Sequence, residues 1–197
     1  MNSERYKISP MRESLVYLPT EELERLCRLE TLRRSGPGGQ NRNKVETGVR
    51  FYLDEAGLVG EATERRYQGE NRRIALQRLR LELALKVRES ILTQETNVVG
   101  EETKRETVVA PSALRDFRWF SRLVGNKIQV SAESDDYPTL VAEFFDAYQA
   151  TDENLSATAE ILQTTSSQIV RFLSKVPKAL EALNTLRERR GLGRLRP

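Results

Sequence analysis

The spacing of apolar residues divides the chain into two unlike halves. In "PTEELERLCRLE", Leu23, Leu26 and Cys27 fall at helical i, i+3, i+4 positions, and Thr20 ahead of the acids has the character of an N-cap. A short helix that buries Cys27 is expected there. "RLETLRR" reads as a strand and "NKVET" as a short helical turn. "GVRFYLD" and "GLVGEAT" read as two further strands joined at Asp54–Gly57, where glycine supplies the positive φ such turns often need. Leu76, Leu79, Leu83 and Val87 form a stripe at helical spacing, which predicts a helix over residues 68–90. Arg72, Arg73 and Arg80 lie off that stripe, while Arg78, Glu82 and Lys86 are placed to ladder at i, i+4. A three-stranded sheet must cover its apolar face, and this helix is long enough to do it. The expected fold is α+β: a two-layer sandwich of a small three-stranded sheet and a covering helix over residues 1–90, followed by an all-α extension.

Residues 91–137 lose this regularity. "TQETNVVGEETKRET" reads as an exposed linker, and the aromatic segment with Phe117, Trp119 and Phe120 as a piece packed on one of the domains. From 138 to 197 the pattern is helical. "TLVAEFFDAYQA" reads as one amphipathic helix and "SATAEILQ" as a short second. Thr165 and Gln168 have capping-box spacing at the head of a third, "SSQIVRFLSK", and Pro177 sits at the first position of a fourth that ends near Gly191. The second and third helices with "QTT" between them have helix-turn-helix proportions, a pattern shared with ordinary helical bundles.

Charge separates the halves further. The first ninety residues are net basic and the remainder is close to neutral. Within Arg65–Arg88 eight basic residues face two acidic ones, so the polyanion-binding signal lies in the first half. The near-neutral second half speaks against a DNA-binding regulator, and no DNA partner is expected. No apolar run approaches the 18 residues of a membrane span. The N-terminal stretch lacks the apolar core of a secretory signal, and the lone Cys27 fits a reducing compartment. Cytoplasmic placement follows as the expectation. The chain has no histidine, which excludes Ser-His and Cys-His nucleophile pairs and histidine metal ligands. No metal or cofactor is expected.

The chemistry-bearing candidate is "SGPGGQNRNKVET", residues 35–47. It lacks the Walker and dinucleotide-binding spacings. Three glycines in four positions are costly to order for an ordinary turn. They suit a loop whose backbone enters a narrow site, with Pro37 limiting its freedom. Gln40 at the tip is neutral and a poor general base, but its amide and backbone N–H can position water and stabilise charge developing on oxygen.

"TLRRSGPGGQNRNKVETGVRF" resembles the catalytic domain of bacterial-type peptide chain release factors and of the related codon-independent ribosome-rescue hydrolases. The resemblance rests on Gly38-Gly39-Gln40, with Ser35-Gly36-Pro37 before it and Asn43-Lys44, Glu46 and Val49-Arg50 after it. It runs on through Arg66, Gln68, Asn71 and Arg72, and covers about residues 20–90. Tyr67 and Gly69 depart from the usual residues beside Gln68.

The resemblance implies hydrolysis of the ester between nascent peptide and tRNA, with the loop inserted in the ribosomal peptidyl-transferase centre. Gly38 and Gly39 would permit the backbone conformation and Gln40 would carry the catalytic N–H and amide. Arg33, Ser35, Asn41, Arg42, Asn43, Lys44, Arg66, Gln68, Arg72 and Arg73 would contact RNA; for the basic residues a solvated charged face is the plainer alternative. The implied partners are the ribosome, its RNA and peptidyl-tRNA; the oligomeric state is not read from the sequence, a monomer being the expectation. The resemblance also places codon reading a full tRNA length from ester hydrolysis. The roughly 20 residues before the lead-in helix are too few for a codon-reading domain, and "RERRGLGRLRP" is a short basic tail. Codon-independent release is therefore expected. The alternative is a ribosome- or RNA-binding protein that keeps the domain without catalysis.

Overall fold

The computed structural model describes residues 15–33, 46–86 and 117–197. The expectations for the glycine loop, the "NKVET" turn up to Val45 and the linker lie outside these residues. The chain divides into two units, Met1–Val87 and Arg88–Pro197.

In the first unit, strands β1 (Arg28–Leu32), β2 (Gly48–Leu53) and β3 (Leu58–Ala62) form an antiparallel sheet in chain order. Alternation along β2 sends Val49, Phe51 and Leu53 to the buried face. There they meet Leu58 and Ala62 of β3, Leu23, and the row Ala75, Leu76, Leu79 and Leu83 of helix α2 (Gln68–Lys86). The expected sandwich is thus borne out. Gly60 sets its closeness: a Cβ there would lie 2.2 Å from the Ala75 carbonyl oxygen, so the strand and helix backbones touch. The outer face is polar. Arg50 donates to Glu61 (2.7 Å) and to the Tyr52 hydroxyl (2.9 Å), which donates to Glu30 (2.6 Å). Gly57 closes the β2–β3 turn at φ 62°.

Four local expectations are corrected. Helix α1 (Thr20–Arg25) begins at Thr20 itself, with Pro19 preceding it and no side-chain cap. The helix stops before Leu26, which is 44% exposed, and Cys27 packs only partly against the core. Burial pushes the Cys27 thiol up to about 11, leaving an unreactive packing group. Arg80 is buried although it lies off the leucine stripe, because its guanidinium reaches the Leu18 carbonyl (2.5 Å) and ties the lead-in segment to α2. Only half of the charge ladder forms. Lys86 pairs with Glu82, whereas Arg78 turns to Glu64 (2.6 Å) and the Glu61 carbonyl (2.6 Å).

The second unit contains helices α3 (Arg118–Ser121), α4 (Tyr137–Ala150), α5 (Leu155–Ile161), α6 (Ser166–Leu173) and α7 (Pro177–Arg189). A small hairpin of β4 (Leu123–Val124) and β5 (Lys127–Ile128), absent from the sequence reading, turns at Gly125 with φ 62°. Helix α4 is not amphipathic as expected. It is buried nearly all round, and its polar members Glu143 and Asp146 are buried with it. Glu143 is accommodated by accepting the backbone N–H groups of Arg118 (2.7 Å) and Trp119 (2.8 Å), the free donors at the head of α3. Burial nevertheless pushes its carboxyl up to about 7. Trp119 is fully buried, edge-on to Phe172 at 5.3 Å, with its indole N–H on the Leu162 carbonyl. The aromatic segment therefore packs with these helices. Asn154 caps α5, Thr165 caps α6, and Pro177 opens α7, which ends before Gly191 at φ 71°.

Candidate release site at the loop stems

The glycine-rich loop springs from the β1–β2 connection, so the geometry of its two stems can be built from the strands. Leu32 and Gly48 are the last paired residues. A Cβ on Gly48 would come within 2.8 Å of the Thr63 methyl and 3.0 Å of Leu32, so only glycine lets the stems close this tightly. Immediately above them Glu46 acts as a hub. One of its carboxylate oxygens accepts from Thr31 Oγ1 (2.6 Å) and the other from Arg33 Nε (2.9 Å), while its backbone carbonyl accepts from Gln68 Nε2 (3.1 Å). The Thr31 hydroxyl, then Arg33, hold the Glu46 carboxyl below its ordinary value, so it is an anion at neutral pH.

Beneath the hub, Asn71 of α2 is fully buried and uses its whole amide. Its Nδ2 donates to the carbonyls of Thr47 (2.7 Å) and Arg65 (3.0 Å), and its Oδ1 accepts from the Arg65 N–H (2.9 Å). The second stem, the β3–α2 connection and the head of α2 are thereby joined at one side chain. Gln68 and Asn71 lie one turn apart at the start of the helix, which brings both under the same stem.

Arg33 and Gln68 thus converge on Glu46. Arg72 lies elsewhere: it makes a two-pronged pair with Glu24 (3.0 and 2.6 Å) and sits over the Phe51 ring, 5.5 Å from its centroid. Arg66, in the bend before α2, and Arg73, on α2, are exposed. Ser35, Gly38, Gly39, Gln40, Asn41, Arg42, Asn43 and Lys44 lie outside the described residues, and their roles remain expectations. The sequence reading quoted Glu46 and Asn71 for the resemblance but assigned them no site role. A signal existed for Asn71, which continues the buried row Ala75, Leu79, Leu83 by one step of four. The arrangement supplies a hydrogen-bonded base where the two stems meet.

The RF-1 domain profile matches residues 16–115, and the chain belongs to this family of release-factor domains. Among curated relatives it is 32% identical over 155 residues to the probable peptide chain release factor 1, mitochondrial, of Caenorhabditis elegans, covering 77% of this chain and 35% of that protein. It is 35% identical over 91 residues to the peptide chain release factor PrfB1, chloroplastic, of Arabidopsis thaliana, covering 46% and 19%. It is 46% identical over 55 residues to peptide chain release factor 1 of Chlorobaculum tepidum, covering 28% and 15%. The chain thus spans about a third or less of the length of these relatives. No solved structure matches it. No helix among the described residues is long and apolar enough to cross a membrane.

Proposed function

We propose that this chain hydrolyses the ester joining the nascent peptide to tRNA on the ribosome, in the cytoplasm and as a monomer, and that it does so without reading a codon. One observation carries this reading: in a domain of the RF-1 family, Gly38-Gly39-Gln40 is mounted on stems that Glu46, Arg33, Gln68 and Asn71 hold together. Residues 1–90 act as the catalytic domain, residues 91–137 contain the linker and the aromatic segment, and residues 138–197 are a helical extension that adds affinity. Gly38 and Gly39 let the backbone enter the peptidyl-transferase centre. The Gln40 N–H stabilises charge on the reacting oxygen, and its side chain admits water. No metal or cofactor takes part.

Ser35, Asn41, Arg42, Asn43, Lys44, Arg66 and Arg73 contact RNA directly. Gln68 keeps one amide N–H for RNA while the other holds Glu46, and Arg33 and Arg72 reach phosphate while sharing Glu46 and Glu24. The first unit taken by itself, about 90 residues, is roughly 30 Å across on compact-domain scaling, well short of a tRNA length, so this unit alone does not reach from ester to codon.

The test is peptide release from ribosomes carrying peptidyl-tRNA with a stop codon, a sense codon or no codon in the A site. Comparable rates in all three are expected, with a loss of roughly 10²-fold in Gly39→Ala. A stop-codon preference on the order of 100-fold, nearly 3 kcal/mol, would overturn codon independence. Undiminished release by Gly39→Ala would overturn the site.

A further inference from the structure

The junction between α5 and α6 is a fixed turn. Gln163 holds φ 53°, in the left-handed region where glycine is the unstrained residue. Its N–H reaches the Glu160 carbonyl (3.0 Å) and the Thr164 N–H reaches the Ala159 carbonyl (2.9 Å), the paired bonds that end a helix sharply. Leu162 is buried and its carbonyl holds the Trp119 indole N–H. Thr165 then caps α6 through the Gln168 N–H (3.2 Å). The Thr164 hydroxyl donates to the Asn126 carbonyl (2.6 Å), which sets the β4–β5 hairpin turn beside the head of α6. Ile169, Val170, Phe172 and Leu173 fix the inner face of α6. The outward side carries Ser167, Gln168 and Arg171 and no apolar side chain, with Lys175 just past the helix end.

We propose that α5 and α6 form a helix-turn-helix that binds B-form duplex DNA, with α6 seated in the major groove. This is an activity separate from the loop site and does not rest on the reading of that site. With its side chains a helix such as α6 is about 10–12 Å across, which the roughly 12 Å wide major groove admits. A protein partner would be matched by exposed apolar side chains at the centre of the face, which α6 does not offer. The outward residues are those that read base edges: Arg171 suits guanine, Gln168 suits adenine, and Ser167 suits either. Lys127 of β5, next to Asn126, is placed for a flanking phosphate; the Lys175 ammonium, one turn beyond Arg171, already donates to the Val130 carbonyl.

The near-neutral charge of this half spoke against such a role, but the charges are segregated. From Ile161 to Leu180 there is no acidic residue, while Arg171, Lys175 and Lys178 are basic. Among the described residues of this unit the acids lie in Glu133–Asp136, on α4, in the Asp152–Glu153 turn, at Glu160, and on α7 at Glu181 and Glu188, which both pair with Arg194. A-form RNA duplex does not fit the same surface, because its major groove is too deep and narrow for side chains on a helix.

The test uses the full chain and a random-sequence 20-base-pair DNA pool, followed by titration of the enriched duplex and of an RNA duplex of the same sequence. One enriched motif is expected, with the RNA duplex bound more weakly. Arg171→Ala is expected to lower affinity for the motif roughly ten- to a hundred-fold. Lys127→Ala is expected to weaken all duplexes alike and to reduce the salt slope by about one. Both side chains are exposed, and Trp119 emission checks that the unit stays folded. Gly39→Ala is expected to bind DNA as the parent does, which separates this site from release. Failure to enrich a motif, equal or tighter binding of the RNA duplex, or parental affinity in Arg171→Ala would each overturn the proposal.

Discussion

Asn71→Asp is nearly isosteric, yet it inverts the hydrogen bonding under the second loop stem. The carboxylate keeps an oxygen for the Arg65 N–H, but its other oxygen then faces the Thr47 and Arg65 carbonyls that the amide served at 2.7 and 3.0 Å. Two bonds of about 1 kcal/mol each are lost, and two buried carbonyls are left facing an acceptor, for a total on the order of 4 kcal/mol. That is a large fraction of the roughly 5–15 kcal/mol typical of a domain. Protonation restores one donor, so the pKa of the introduced carboxyl should rise in the folded state. Its contribution is then greatest below the ordinary carboxylate pKa and is lost as pH rises through the raised one. The single tryptophan, Trp119, lies in the other unit, so two signals separate the effects. Denaturant unfolding followed by far-UV circular dichroism should show an early transition at pH 7 that retreats at pH 4, while the Trp119 emission transition stays in place. A loss below about 1 kcal/mol, or a shift of both transitions together, would refute the account of Asn71 as the clamp.

Gly60→Ala forces a methyl group against the Ala75 carbonyl and the Leu79 backbone, and should cost about 3 kcal/mol in the same early transition; an unchanged midpoint would mean that strand and helix separate freely. Glu143 has a raised folded pKa, so the stability it contributes is present below about 4.5 and is lost as pH rises through about 7. Between pH 5 and 8 the Trp119 transition should therefore weaken by roughly 2 kcal/mol, and a flat profile would count against that burial effect. Glu46 is the opposite case, with a lowered folded pKa. The pairing of the stems should persist above the ordinary carboxylate range and weaken as pH falls through the depressed value, which amide exchange at Thr31 and Arg33 would follow. Glu46→Gln should abolish that acid dependence.

The sheet and its covering helix were legible because strand alternation and the leucine stripe each repeat over several residues. What escaped the sequence reading depends on single side chains reaching across the fold. Arg80 belongs to the polar side of the helix by periodicity, and its burial follows from a carbonyl 62 residues earlier in the chain. Two-residue strands such as β4 and β5 are too short to show a period. Helix α4 read as amphipathic because Glu143 and Asp146 are charged types, and the donors that let Glu143 be buried come from α3, a segment without strong helical pattern. At the site, the resemblance pointed to the loop, but neither composition nor spacing showed that Glu46 collects both stems.

The strand order of the first unit has a consequence for synthesis. β1, β2 and β3 pair strictly with their chain neighbours, and α2, which seals them, follows at once. No strand waits for a distant segment, so the loop closures needed are short and the unit should form quickly. By the time residue 86 has cleared the exit tunnel of the translating ribosome, the platform for the glycine loop can already be assembled, before any of α4–α7 has emerged.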